Sequence, residues 1–475
     1  MTMTIRSTFH RFDRAFPLRH ALSLSLLVGV TGCQSIPAEP VNAPQAAADA
    51  IGLAAPIELR IVGPDGGPLD EPEPTTASLS MAEALRRAVT NDPSLQAALA
   101  RVRMAMADAD QARLLPNPVL NVVLRWGPGT PQIEASLAQD LVQALQIPRR
   151  ASAADHRLRE AASDAVTVAI DVVSEVQERY IEAQAADALT PLLVERMALL
   201  ERLAAVARAR LEAGEGTRSD LATLDAQRVE LAVEIDQSDL AARDARLRLA
   251  RLVGQPSSAA TWALDDWSAA GHGTAAELPP ESRYIDAALA KRPEILAIGW
   301  RLRALGDDEA LARLLPWDGA EAGVDASRDD SLFVGPSIST PLPVFDMGQA
   351  RQERAAAESL EARHELTTMR RTVVEEVRRA YQTMQASAAN LRRIRDELIP
   401  LQERRCILAE DAYRAGQSDV TALFLAEQDL RLAQAKAVEV ERQAATAEVR
   451  LSRAVGGPGV ASTLTDAARP ADAAH

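Results

Sequence analysis

Residues 113–116 read Arg-Leu-Leu-Pro, and residues 313–316 read Arg-Leu-Leu-Pro again, at an offset of 200. Pro93 and Pro293 have the same offset, and each opens a helical pattern that leads into the motif. Two further pairs keep nearly this offset: Gly216 with Gly416, and Val253-Gly254 with Val455-Gly456. Several landmarks at one offset indicate an internal duplication. The chain is therefore predicted to contain two copies of one structural unit.

Each unit shows the same order of patterns: a helix, two short alternating strands, a long helix, a glycine-bearing tip and a second long helix. After Pro148 apolar residues recur every three to four positions over some 60 residues, which predicts a helix about 90 Å long. The predicted boundaries are 78–261 for the first repeat (β-hairpin 119–139, tip 213–220), 262–283 for a linker, and 284–458 for the second repeat (β-hairpin about 321–339, tip 413–420).

Composition narrows the classes of function. Only 3% of residues are aromatic, against 47% hydrophobic residues, which is typical of long helices packed on Ala and Leu rather than of an ordinary core. A net charge of −15 argues against a nucleic-acid binder. Two cysteines cannot form a disulfide framework, and no phosphate loop or nucleophile motif occurs. We therefore predict no enzyme activity, no cofactor and no metal site.

The N-terminus has the pattern of a secretory address. A basic stretch precedes the apolar run 21–30, which is shorter than the stretch that a membrane-spanning helix needs. The run ends Val30-Thr31-Gly32-Cys33, which resembles the lipobox of bacterial lipoproteins. That resemblance implies cleavage of a signal peptide at 1–32, acylation of Cys33, and sorting to the outer membrane because Gln34 follows. We expect residues 33–77 to be a flexible tether and residues 459–475 to be a disordered tail.

The predicted strand pairs need partners. An isolated β-hairpin is not stable in water, and an open sheet exposes unpaired edges. We expect the four strands of one chain to find partners in other copies of the chain, so that a cyclic oligomer closes the sheet into a barrel and the helices into a second cylinder. The predicted fold class is mainly α with a small β part.

Several motifs resemble the TolC family of outer-membrane efflux proteins. They are Leu-Pro-Asn-Pro at 115–118, Leu-Asp-Ala-Gln-Arg at 224–228, Thr-Pro-Leu-Pro-Val-Phe-Asp at 340–346 and Tyr-Arg-Ala-Gly at 413–416. The resemblance covers about residues 78–457, and the order and duplication of these motifs make it specific. It implies a homotrimer with a twelve-stranded β-barrel at the outer membrane and a twelve-helix α-barrel in the periplasm.

The resemblance also implies partners and roles for the tips. The tips would form a periplasmic entrance that a periplasmic adaptor protein contacts, linking the tube to an inner-membrane pump. The gate candidates are Arg218, Asp220, Asp225, Tyr413, Arg414 and Asp419, and the adaptor-docking candidates are Gly216, Thr217, Gly416 and Gln417. The aspartates could instead only cap helices, the glycines could serve only the turn, and Tyr413 could be a packing residue.

Two functions therefore stay open from the sequence. The first is the channel component of a tripartite efflux system, a passive gated conduit that exports small molecules or ions from the periplasm. The alternative is a non-channel periplasmic lipoprotein that uses the helical hairpins as a spacer or scaffold. The conduit predicts conducting trimers, whereas the spacer predicts an assembly that does not conduct.

Overall fold

A computed structural model describes residues 41–53, 56–59, 78–127, 131–214, 217–257, 259–267, 278–328, 331–415, 417–418 and 420–466. Helix α1 (Ala43–Ile51) and the short strand β1 (Ser78–Leu79) come first. The first repeat contains α2 (Met81–Asn91), α3 (Pro93–Ala112), β2 (Val119–Arg125), β3 (Gln132–Asp140), α4 (Leu141–Glu212) and α5 (Arg218–Leu252), followed by β4 (Ala263–Leu264). The second repeat contains α6 (Glu281–Lys291), α7 (Pro293–Ala312), β5 (Glu321–Arg328), β6 (Leu332–Ser339), α8 (Gln349–Arg392), a π-helical segment (Arg393–Leu398), α9 (Ile399–Arg414) and α10 (Val420–Val455). Helix α11 (Pro458–Asp466) ends the described chain.

The two halves of the chain repeat each other closely. Helices α2 and α6 begin and end 200 residues apart, and so do α3 and α7. A proline occupies the first turn of both α3 and α7, where a missing backbone N–H costs nothing. The helix, two-strand and helical-hairpin order that the sequence indicates is therefore present in both halves.

Helices α4 and α5 form a long antiparallel hairpin. Helix α4 has 72 residues and would span about 108 Å at 1.5 Å per residue. It begins at Leu141 and not after Pro148 as we expected, because the Asp140 side chain accepts a hydrogen bond from the Gln143 amide at 2.8 Å and caps the helix directly after β3. Leu200 of α4 and Leu231 of α5 are buried in one cluster between the arms.

The corresponding arm of the second repeat is interrupted. Helix α8 passes into the π-helical segment, and α9 then starts with a proline, Pro400, in its first turn. Proline lacks an N–H and cannot complete the regular ladder, so a wider turn ahead of it accommodates the missing bond. Helix α10 returns antiparallel and packs against both α4 and the α8–α9 arm. The order across the helical layer is thus α5, α4, α10, α8–α9.

The four longer strands form one antiparallel sheet in the order β2-β3-β5-β6. We expected the strands to seek partners only in other copies, and this is wrong for β3 and β5, which pair with each other over eight residue pairs. Gly323 permits their close approach, because a Cβ at that position would lie 2.3 Å from the Leu137 carbonyl oxygen. Strands β2 and β6 lie at the two outer edges of this sheet.

A small polar centre joins the linker to the first repeat. The parallel pair β1–β4 lies over Tyr180, which is fully buried. Its hydroxyl donates to the Leu79 carbonyl and accepts from the Asp265 amide, both at 2.9 Å. Burial raises the pKa of the Tyr180 hydroxyl, so it stays protonated and can donate.

The chain termini differ from our expectation. Residues Ala43–Ile51 lie within the predicted tether but form helix α1, whose Ala43, Ala47 and Ala48 are buried against α3 and α4. Part of the predicted disordered tail is helix α11, which packs on α1. Small residues allow this approach: a Cβ on Gly459 would lie 2.5 Å from the Asp49 carbonyl oxygen.

Candidate functional site

One face of the four-stranded sheet is mostly apolar. Residues paired across antiparallel strands point to the same side, and neighbours along a strand point to opposite sides. The register therefore collects an apolar set on one face: Leu120, Val122 and Leu124 of β2, Ile133, Ala135 and Leu137 of β3, Ala322, Val324 and Ala326 of β5, and Leu332, Val334, Pro336 and Ile338 of β6. Gln139 and Arg328, near strand ends, are the polar members of this face. Leu120 is 67% exposed and Ile338 is 80% exposed. This face therefore leaves a wide apolar surface uncovered in the single chain.

The opposite face is mostly polar. Asn121 pairs with Ser136, which pairs with Asp325, and the Ser337 hydroxyl donates to Asp325 at 3.1 Å. Val123 and Phe333 are apolar members of this face. Asn121, Val123, Ser136, Asp325 and Phe333 line a hollow of about 550 Å³, so the sheet is concave on its polar side. An outward apolar face and an inward polar face are the two surfaces of a membrane barrel wall.

The tip of the first hairpin is exposed and polar. Helix α4 ends near Gly214, whose φ of +80° belongs to the left-handed region, and Thr217 and Arg218 follow on the surface. Asp225, a half-exposed gate candidate, accepts from Arg228 at 3.4 Å, and Arg228 also reaches Glu201 of the other arm at 3.5 Å. Gly216 and the Asp220 side chain lie outside the described residues.

The tip of the second hairpin has a different local pairing. Tyr413 is 46% exposed, and Arg414 bonds to Glu410 one turn back on its own helix. The amides of Gln417 and Ser418 donate to the Ala412 carbonyl at 2.9 and 3.3 Å and close the turn. Gly416 and Asp419 lie outside the described residues. Within the described residues of the single chain, Arg414 is therefore paired with a glutamate of its own helix.

Sequence reasoning missed an ion-pair cluster where the two repeats meet. Arg292 donates to Glu294 at 2.9 Å and also bonds to Glu376 of α8. Arg453 of α10 lies 3.3 Å from Glu294 and donates to Asp171 of α4 at 2.8 Å. Four helical elements thus meet at these charges. The one signal in the sequence was that Arg292 stands where the first repeat has Asp92.

Two features are absent from the residues that the structure describes. No described helix is both long enough and apolar enough to cross a membrane. Among the same residues, no group of three or more His, Cys, Asp or Glu side chains is arranged to hold a metal ion. Cys33, the predicted lipidation site, lies outside the described residues.

Comparisons with known proteins agree on one family. Residues 284–457 match the family described as outer membrane efflux protein. The chain is 25% identical to the pyoverdine export outer membrane protein OpmQ of Pseudomonas aeruginosa, over 92% of this chain and 96% of that protein. It is 26% identical to the outer membrane efflux protein BepC of Brucella suis biovar 1, over 58% of this chain and 61% of that protein.

Solved structures share the fold. The outer-membrane channel OprN superposes with a TM-score of 0.64 at 19% identity, over 80% of this chain and 90% of that chain. The outer membrane protein VceC of Vibrio cholerae superposes with a TM-score of 0.62 at 18% identity, over 79% of this chain and 96% of that chain. The duplicated arrangement of long helical hairpins and short strands is therefore one that outer-membrane channels adopt.

Proposed function

We propose that this chain is the outer-membrane channel of a tripartite efflux system, a passive gated conduit out of the periplasm, because residues 284–457 match the outer membrane efflux protein family. The observation that supports this most is the four-stranded sheet, with one exposed apolar face, one concave polar face and an outer strand at each edge. Such a sheet is stable in a bilayer only when its edges pair and close.

Closure limits the number of copies, and the resemblance to the TolC family implies three. Each chain supplies four strands, and the different outer strands β2 and β6 favour a head-to-tail ring. Two copies would give an eight-stranded barrel, whose interior side chains fill completely. Three copies give twelve strands and leave a bore. The helical hairpins, which follow the strands in each repeat, then close into a periplasmic tube of twelve helices.

The conduit is tested by reconstitution. We expect detergent-extracted protein to be trimeric by native mass spectrometry and to produce stepwise conductance in a planar bilayer. A stable assembly that never conducts would overturn the channel and support the spacer or scaffold.

We propose that a lipid on Cys33 also attaches the protein to the membrane. Cys33→Ser should abolish incorporation of a labelled fatty acid and leave uncleaved precursor, because the attachment needs that thiol. Cys406→Ser is the matched control, since burial raises the pKa of the Cys406 thiol and it sits within a helix of the body. The control should label like the unsubstituted chain. Equal labelling of the Cys33 variant would refute the lipoprotein assignment.

The tips form the periplasmic entrance in this proposal. Asp220, Asp225 and Asp419 would form an acidic ring that symmetry triples, and Thr217 and Gln417, with the glycines beside them, would contact the adaptor protein that links the tube to the pump. Arg218, Tyr413 and Arg414 would line the gate. The exposure of both described tip segments supports this role.

Charge at the entrance can be tested in the assembled channel. Asp220→Asn combined with Asp419→Asn should reduce cation preference, because each substitution removes three carboxylates from a narrow opening. The reversal potential across a salt gradient measures this preference. If the double variant keeps the reversal potential of the unsubstituted channel, these aspartates only cap their helices.

A further inference from the structure

The two repeats leave the sheet in different ways. In the first repeat α4 begins directly after β3, since Asp140 is followed by Leu141. In the second repeat nine residues, Thr340–Gly348, separate β6 from α8, and we call them the strap. Its Leu342, Val344 and Phe345 side chains are 79%, 72% and 99% exposed. Three large apolar side chains on one short connection form a surface that is costly to leave in water.

The strap is held in shape although its apolar side chains are uncovered. Pro341 and Pro343 restrict its backbone, and the Val344 amide donates to the Leu342 carbonyl at 2.8 Å. The Asp346 carboxylate accepts from the Gly348 amide at 2.7 Å and from Arg351 at 2.6 Å. A preformed apolar loop loses little entropy on docking, which favours a role in binding.

The first repeat shows what lies beside such an exit. The Leu141 amide donates to the Ala320 carbonyl at 2.9 Å, and Asp140 pairs with Glu321. The end of the first repeat's hairpin thus lies against the start of the second repeat's hairpin. If the joint between copies has the same geometry, the end of the second β-hairpin of one copy lies against the start of the first β-hairpin of the next copy. In its own chain that start is at the far edge of the sheet, beyond β3 and β5.

The segment before and into β2 has a matching apolar surface. Leu114 and Leu115, ahead of β2, are 43% and 48% exposed, and Val119 and Leu120, on opposite faces of the sheet at the start of β2, are 58% and 67% exposed. When β6 of one copy pairs antiparallel with β2 of the next, the end of β6 comes beside the start of β2. We propose that the strap docks on residues Leu114–Leu120 of a second copy of this chain. This rests on the proposed function, because it uses the ring that the channel requires.

The strap makes the joint between copies different from the joint within a copy. Within a chain the two β-hairpins are covalently linked, so β3 and β5 pair without additional apolar contacts beside them. Between copies there is no covalent link, and Leu342, Val344 and Phe345 supply apolar contact area at that joint. Each copy then offers one strap and receives one, which suits a closed head-to-tail ring.

Disulfide trapping tests the docking. A chain carrying Phe345→Cys and Leu115→Cys, in a Cys406→Ser background, should form copy-to-copy disulfides on mild oxidation, seen as dimers and trimers in non-reducing gels. Because a disulfide needs Cα atoms within about 7 Å, Asn117→Cys and Val119→Cys are tried as alternative partners of Phe345→Cys. Phe345→Cys with Leu240→Cys is the control, since Leu240 is 68% exposed but lies far away on α5. At least a tenfold excess of linked product over this control is expected.

A second measurement tests whether lipid or water, and not a second copy of the chain, surrounds the strap. A spin label on Phe345→Cys in proteoliposomes should be poorly accessible to both oxygen and a water-soluble nickel chelate. High oxygen access would place the strap in lipid, and high nickel access would place it in water. Either result, or no disulfide at any of the three positions in trimers that still conduct, would overturn the docking and leave the channel standing. Monomers without conductance would overturn the channel and the docking together.

Discussion

Val122→Arg should prevent stable insertion of the sheet into the outer membrane. Val122 lies at the middle of β2, on the apolar face, and is 53% exposed in the single chain. An arginine facing lipid near the bilayer midplane costs roughly 2–4 kcal/mol, so the three copies of the proposed channel would lose roughly 6–12 kcal/mol. We expect folded trimer in outer-membrane fractions to fall below detection. Heat-modifiable mobility in semi-native gels measures the folded fraction.

Asn121→Arg is the matched control for this substitution. It is the adjacent residue of the same strand, but it lies on the polar face that lines the hollow. The arginine would meet water there, so folded trimer should stay near its normal amount while ion selectivity shifts toward anions. If both variants insert equally well, the apolar face does not contact lipid, and the barrel assignment fails.

Arg292→Met should destabilise the body of the protein by about 3 kcal/mol. The Arg292 side chain is only 3% exposed and bonds to Glu294 and Glu376, both of which lie within the charge cluster that joins the repeats. Its removal leaves two carboxylates with less positive charge to balance them, and among the described residues only Arg453 still pairs with both. The shift in the urea midpoint of unfolding, followed by circular dichroism, measures this loss.

Arg301→Met provides the comparison. Arg301 also joins α7 to α8, through Glu365 at 2.8 Å, but the two side chains are 43% and 41% exposed. Exposed pairs contribute less than about 1 kcal/mol, so this variant should unfold close to the unsubstituted protein. Equal urea midpoints for the two variants would show that burial of Arg292 does not increase the contribution of its ion pairs to stability.

Much of the fold follows from local signals in the sequence. Pro93 and Pro293 mark the starts of α3 and α7, since proline is favoured in a first turn and disfavoured further along. The strand ranges near 119–139 and 321–339 follow from alternation and turn residues. Channel-like structures superpose on the chain, in agreement with the resemblance noted from its motifs.

Local signals were weaker where small residues carry the packing. Helix α1 lies in an Ala-, Pro- and Asp-rich stretch that has the composition of a linker. It is ordered because Ala43, Ala47 and Ala48 fit closely against α3 and α4, and because Gly459 of α11 leaves room for its backbone. Short apolar side chains have a weak hydrophobic pattern, so such a helix is not recognised without its neighbours.

Residues close to one another in the chain were enough to predict the duplication, the helix starts, the turns and the alternation of the strands. How residues far apart in the chain meet could be read only from the folded structure. Asp92 caps α3 by accepting from the Ser94 and Leu95 amides, whereas Arg292, at the same position of the second repeat, bonds to Glu376 of α8. The folded structure also shows that β3 pairs with β5. Periodicity records which face of an element is apolar, but the partner of that face depends on contacts between residues far apart in the chain.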